Sequence, residues 1–215
     1  DTGGGQRAAV RARAALETAV TLDPILPEAR LELARLDLDG GQYEQALEQL
    51  QVAEMILPES PWVYLLKGQA YLALGDPTKA LEEARRANQL DLTLLPVYRL
   101  KGEALQASGQ WIEAIVPLEI YLRYIPSPDA SAQIFMARSY AAAGEFEKAI
   151  SAINLALEVD PNDADVLLLR GDYYLELDQA DLALADYRQS LRLEPNSFAT
   201  GLAVGRAQLA LGAYR

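Results

Sequence analysis

Alanine returns in this chain on a fixed beat: Ala12, Ala46, Ala80, Ala114, Ala149 and Ala183 stand 34, 34, 34, 35 and 34 residues apart. Twelve residues after each comes Pro24, Pro58, Leu92, Pro126, Pro161 or Pro195, so leucine fills one proline slot. Twelve residues before the later five alanines lies a small residue, Ala34, Gly68, Gly102, Ala137 or Gly171, and Gly205 opens a further round. Three residues beyond these small positions stand Tyr71, Leu105, Tyr140 and Tyr174. Markers that hold phase over five periods confine the chain to stacked units, each able to bury its apolar face only against its neighbours.

Each period reads as two helices. Leu31, Leu33, Leu36 and Leu38, then Leu65, Leu66, Leu72 and Leu74, form broad apolar stripes at helical spacing. Gly41, Gly75, Gly109 and Gly144 follow those stripes, where a left-handed C-terminal residue is cheap for glycine. A second stripe runs through Ala46, Leu47, Leu50, Ala53 and Ile56, and again through Ala149, Ile150, Ile153, Ala156 and Leu157. It stops at proline, beside Asp, Ser or Asn residues that can cap the next helix. Two helices this short do not stand alone in water, so each pair must pack on itself and on the next.

Composition agrees with a packed array and removes several chemistries. Apolar residues make up 51% of the 215, too many for a disordered chain despite 31 acids against 19 bases and a net charge of −12. With no histidine and no cysteine, zinc ligation, thiol nucleophiles, disulfides and histidine catalysis are excluded. The acidic balance repels phosphate backbones, so nucleic acid is a poor partner. No apolar run reaches the roughly 18 residues of a membrane span. No phosphate loop, dinucleotide fingerprint or metal spacing appears, and no cofactor is expected. Glu82/Glu83 and Asp163/Asp165 resemble acid/base pairs, but the first two are neighbours on one helix and are expected to be hydrated. The second pair lies at a helix start, where the dipole favours anions.

The segments "VYLLKGQAYLALGDPTKALEEARRANQLD", "IFMARSYAAAGEFEKAISAINLALEVDP" and "VLLLRGDYYLELDQADLALADYRQSLRLEP" carry an aromatic, Leu-Gly, Tyr, Ala and Pro pattern within 34 residues. By these residues the chain resembles the tetratricopeptide repeat family, from Arg7 to Arg215. The resemblance implies an all-α, right-handed α-solenoid of antiparallel helix pairs. A lone helix at 7–22 precedes five full repeats at 27–57, 61–92, 95–125, 130–160 and 164–194, and a lone first helix follows at 197–211. Residues 1–6 read as a linker or an expression remnant.

The resemblance also implies a non-catalytic protein-interaction scaffold whose first helices line a concave groove that takes a peptide or a helix of a partner. In register, one slot of that lining holds Leu31, Leu65, Arg99, Ile134, Leu168 and Leu202. Four residues on, hence on the same helix face, stand Arg35, Gln69, Glu103, Arg138, Asp172 and Arg206. Trp62 sits at a helix start on the same lining, where no other repeat has an aromatic. The apolar slot is either ligand-facing or inter-helix packing, and the charged row either meets a ligand or neutralises itself across repeats. Some members of the family clamp a terminal carboxylate with lysines and asparagines, a set this chain does not keep. The acidic balance favours a protein or peptide partner with basic residues. The alternative is a structural or oligomerisation module, a homo-oligomer packing through uncapped array ends or the convex face.

Three departures from regularity stand out. Pro117 falls about two turns into an expected second helix, close to an extra residue in Ile125-Pro126-Ser127-Pro128-Asp129, and together they predict a kink. Asp37 occupies the slot of Tyr71 and Tyr140, which predicts a shifted inner helix in the first full repeat. Gly212-Ala213-Tyr214-Arg215 reads as the start of a further second helix, so the expectation is a piece of a longer array. Trp111, in the slot of Tyr43 and Phe146, is expected in the core.

Overall fold

A computed structural model describes residues 2–212 of the protein, the side chains of residues 2–7 and 9 excepted. Among the described residues there are helices and turns and no strand, as expected for an all-α chain. Two compact units divide after Ser108. The first contains α1 (Thr2–Leu22), α2 (Pro27–Asp39), α3 (Tyr43–Ile56), α4 (Pro61–Ala73), α5 (Pro77–Leu90) and α6 (Leu95–Ala107). The second contains α7 (Ile115–Tyr124), α8 (Ala130–Ala142), α9 (Phe146–Val159), α10 (Ala164–Glu176), α11 (Ala180–Leu193) and α12 (Phe198–Ala210). Within each unit every helix packs on the next. First helices also touch one another, α2 on α4, α4 on α6 and α10 on α12, the second-neighbour contact by which stacked pairs share one core.

Local chemistry sets the helix ends. Proline opens α2, α4 and α5, where its missing N–H has no intrahelical acceptor to lose. The side chains of Asp76, Asp129, Asp163 and Ser197 accept hydrogen bonds from the backbone N–H groups of Lys79, Ala132, Val166 and Thr200. Turns within pairs close on a left-handed residue: Gly75 has φ 78°, and the Asp76 N–H donates to the Tyr71 carbonyl at 2.9 Å. The last full pair reaches the same geometry without glycine, with Asp178 at φ 58°.

The periodic small residues mark where backbones meet. Ala46, Ala80, Ala114, Ala149 and Ala183 are all at 0% exposure. A Cβ added to Gly171 would lie 2.4 Å from the Tyr187 ring, so only glycine lets α11 seat this tyrosine on α10.

The structure corrects several expectations. Pro117 produces no mid-helix kink, because α7 begins only at Ile115; residues 111–114 form a turn where α3, α5, α9 and α11 are already helical. Pro117 thereby sits in the first turn, where its ring meets no helical carbonyl four residues back. The same late start leaves Trp111 38% exposed rather than in the core. Glu83, expected in water, is 8% exposed and ion-paired, while Glu82 beside it is exposed. The helix holding Asp37 is not shifted: α2 and α4 keep the same phase 34 residues apart. Asp37 is instead 2% exposed and lies 2.6 Å from the Arg13 guanidinium of α1, close but off the hydrogen-bonding direction. Two repeats on, the corresponding Leu81 and Leu105 pack in an apolar cluster. At the N-terminal end, α1 reaches back through Gly3-Gly4-Gly5 to Thr2. The further helix expected from residue 213 onward lies outside the described residues.

Candidate peptide-binding surface

In the first unit the lining residues divide by environment. Trp62, at the start of α4, is 41% exposed, and the Arg35 guanidinium of α2 lies 5.3 Å from its ring centroid. Arg35 also donates to Glu32 at 2.5 Å. This joins an aromatic plane, a cation and a carboxylate across two neighbouring first helices. Gln69 is exposed one face further along α4, while Leu31 is half-buried against the cluster of Ala34, Ala46, Leu50 and Leu66. Leu65 is 2% exposed within the cluster of Tyr64, Val97 and Leu100, so it offers no surface to a ligand. Arg99 donates to Glu103 one turn on along α6 at 2.7 Å.

In the second unit, Arg206 of α12 donates to Asp172 of α10 at 3.2 Å, bridging two first helices 34 residues apart. The buried Tyr187 hydroxyl donates to the same carboxylate at 2.7 Å. Burial first, then this bond, hold the Tyr187 pKa well above its ordinary value. Tyr173 is likewise pushed up to about 12, chiefly by burial. Arg138 is exposed and makes no ion pair among the described residues. Beside it in register, Ile134 and Leu168 are half-buried and Leu202 is 57% exposed. The row is therefore neutralised at Asp172/Arg206 and Arg99/Glu103, and open at Arg138.

In a second set of charged residues, sequence reading singled out Glu83 alone, and as a hydrated acid. The Lys67 ammonium of α4, 8% exposed as a residue, contacts Glu54 of α3 at 2.8 Å and Glu83 of α5 at 2.7 Å. Arg86 adds a bond to Glu54 at 3.3 Å and lies 5.1 Å from the Tyr64 ring centroid. Burial alone would lower the Lys67 pKa, but the two carboxylates outweigh it and raise the value above 10.5. Three repeats later the Arg170 guanidinium clamps Asp186 with two bonds of 2.7 Å and reaches Asn154. The usable signal lies in the sequence: a cation just before the small slot and an acid 16 residues later, in the same two slots both times. These ions bind helices together and leave no pair of opposed carboxylates around a cleft.

No helix among the described residues is long and apolar enough to cross a membrane. Family models described as "TPR repeat" and "Tetratricopeptide repeat" match residues 34–75, 63–93 and 136–198. TPR repeat-containing protein YpiA of Bacillus subtilis (strain 168) is 23% identical over 219 residues, covering 86% of this chain and 52% of its own length. DnaJ homolog subfamily C member 3 of Homo sapiens is 25% identical over 181 residues, covering 78% of this chain and 36% of its own. The chain thus spans about half, or less, of the length of these relatives. Among solved structures, the APC/C hetero-tetramer Cut9-Hcn1 aligns over 94% of this chain and 40% of its own, with a TM-score of 0.78 at 22% identity. YrrB, "a TPR protein with an unusual peptide-binding site", aligns over 88% of this chain and 97% of its own, with a TM-score of 0.75 at 18% identity. Matched by three repeat models and built of stacked helix pairs in the same register, the chain belongs to the tetratricopeptide repeat family.

Proposed function

We propose that the chain is a non-catalytic scaffold that holds a peptide or helix of a partner protein against the first-helix faces of its units. The observation that carries this reading is Trp62: a large aromatic, 41% exposed, its ring backed by Arg35. Exposed Trp and Arg held rigidly together are the residue types that dominate binding energy in protein interfaces. In the second unit, Arg138 supplies an unpaired cation beside Ile134, Leu168 and the exposed Leu202. Arginine suits a ligand carboxylate there, while the charge of −12 would speed encounter with a partner that carries basic residues elsewhere. The neighbours support protein partners in general: one is described by its peptide-binding site and another is part of a hetero-tetramer.

Affinity capture from the native source with wild type, Trp62→Ala and Arg138→Ala tests the reading. It requires partners to be lost while helix content and molecular mass stay unchanged. A second reading, assembly through an uncovered helix, draws on α12, where Phe198 is 84%, Leu202 57% and Leu209 50% exposed. Partners retained by both variants, with a mass that rises with concentration, would replace the first reading by the second.

A further inference from the structure

Lys101 of α6 occupies the slot that Lys67 holds in α4 and Arg170 in α10. In both of those repeats the cation is answered by acceptors from the second helices on either side. Lys67 contacts Glu54, thirteen residues before it, and Glu83, sixteen after it. Arg170 bonds Asn154, sixteen residues before it, at 2.7 Å, and Asp186, sixteen after it. The same three slots around Lys101 hold Asn88, Arg85 and Pro117, so none supplies a carboxylate. The lysine is nonetheless carried to the same place. Tyr64 donates to the Pro58 carbonyl with the Lys67 ammonium 5.7 Å from its ring centroid; Tyr98 donates to the Leu92 carbonyl with Lys101 at 5.6 Å. The Asn88 Oδ1 is buried and accepts no hydrogen bond, so it does not stand in for Glu54. Lys101 is half-buried and, like the exposed Arg85, makes no ion pair among the described residues. Burial first, and then the Arg85 charge, hold its pKa below the ordinary 10.5.

We infer that Arg85 and Lys101 form an anion site on the α5–α6 pair, and that its ligand is a carboxylate side chain of a partner protein. The Arg170–Asn154 bond shows that these two slots come within hydrogen-bond reach, so an anion between them meets both cations at once. Two like charges so placed repel, and the half-buried one has lost part of its hydration. A carboxylate between them offsets both effects. One repeat earlier, the slots of Arg85 and Lys101 are those of Gln51 and Lys67, which line a groove of about 310 Å³ on α3 and α4. Glu44, Glu48 and Glu54 make that groove acidic; the next repeat holds Thr78, Glu82 and Asn88 there, so three acids become one. Glu82, exposed three residues before Arg85, and the net charge of −12 oppose a dianion, so a singly charged carboxylate fits better than a phosphate. An ion pair at an open surface is worth little by itself, so the carboxylate arrives on a segment that makes further contacts. Lys101 is two residues from Arg99 and Glu103, about 200° around α6, which separates this site from the first-helix lining.

The test selects binders to the full chain from a display library of short peptides with a fixed central glutamate and every other position varied. Fluorescence anisotropy then compares each selected peptide with its glutamine counterpart, on wild type and on variants of unchanged helix content. Lys101→Met introduces the residue that Met136 places in this slot, and should weaken binding at least about tenfold. The glutamine peptide should lose as much on wild type and nothing further on Lys101→Met, the coupling expected of a direct contact. Asn88→Glu returns the internal carboxylate of the Glu54 slot and should also weaken binding. Side-chain NMR of the lysines reads the site independently of affinity. Lys101 should titrate below 10.5 in the free chain, and higher with peptide bound or with Asn88→Glu. Trp62→Ala and Arg138→Ala should leave binding unchanged, so a failure here is distinct from a failure of the first-helix faces. The inference is overturned if no library member binds, if glutamine replaces glutamate without loss, if binding ignores Lys101→Met, or if inorganic phosphate binds the site more tightly than the peptides do. It is also overturned if the chain alone gains mass with concentration and Lys101→Met removes that gain, since the carboxylate would then come from a second copy.

Discussion

Replacing Lys67 by methionine tests whether the buried ions hold α3, α4 and α5 together. The side chains of Lys67 and Glu83 are each 10% exposed, and that of Glu54 is 26% exposed. One Glu83 oxygen already lacks a hydrogen-bond partner, so removing Lys67 leaves both oxygens of a buried carboxylate unsatisfied. Breaking a buried pair in this way costs about 3–5 kcal/mol, because the surviving charge keeps its desolvation penalty. The chain supplies its own control, since Met136 and Ala152 fill the same two slots two repeats later. Lys67→Met with Glu83→Ala removes both charges and leaves Glu54 beside Arg86, a partly exposed pair worth about 0–1 kcal/mol. The double variant should therefore recover roughly 2 kcal/mol or more of the loss seen in Lys67→Met alone. Because stacked repeats unfold in parts, urea titration is best read together with hydrogen exchange of the α3–α5 amides. A raised folded pKa makes the network's contribution whole below pH 10.5 and lost as pH climbs through the folded value. Wild type should accordingly lose stability above pH 10.5 more steeply than the double variant. A Lys67→Met cost under about 1 kcal/mol, or strict additivity of the two changes, would refute the account.

Other positions give sharper local tests. Gly171→Ala should destabilise, since its Cβ would meet the Tyr187 ring at 2.4 Å, whereas Gly205→Ala in the same repeat slot meets nothing within 4 Å. The Gly205 change should add up to about 1 kcal/mol by helix propensity, and thermal melts of the two variants should move in opposite directions. Asp178→Gly relieves a left-handed aspartate and should stabilise by about 0.5–1 kcal/mol in urea titration; a loss would show that the Asp178 side chain contributes something the backbone geometry does not reveal. Asp37→Leu alone strands Arg13 against apolar neighbours and should cost about 1–3 kcal/mol, while adding Arg13→Leu should recover most of it, as at Leu81 and Leu105. No recovery in that double variant would mean the slot cannot close around apolar residues.

Much of the architecture could be read along the chain because repeat position and helix position are the same variable. Alanine at 46, 80, 114, 149 and 183 reports a point of closest approach each time, and each is fully buried. Ladder positions such as Asp172 and Arg206 were readable too, since residues 34 apart on stacked first helices must face one another. The failures have a common cause. Glu82 and Glu83 are adjacent in sequence but about 100° apart around α5, and only the position of α4 decides that Glu83 meets Lys67 while Glu82 meets water. Trp111 kept its slot and lost its burial because α7 starts four residues late.

Period, helix identity, turn chemistry and the choice of small residues at the contacts belong to the sequence alone, since each depends on residues within one turn or one repeat. Which polar side chains are taken out of water and which lining residue is swallowed by the core, as Leu65 is, were decided by tertiary packing. Those outcomes depend on three helices meeting at one point, and no spacing along a single strand of sequence encodes the volume left between them.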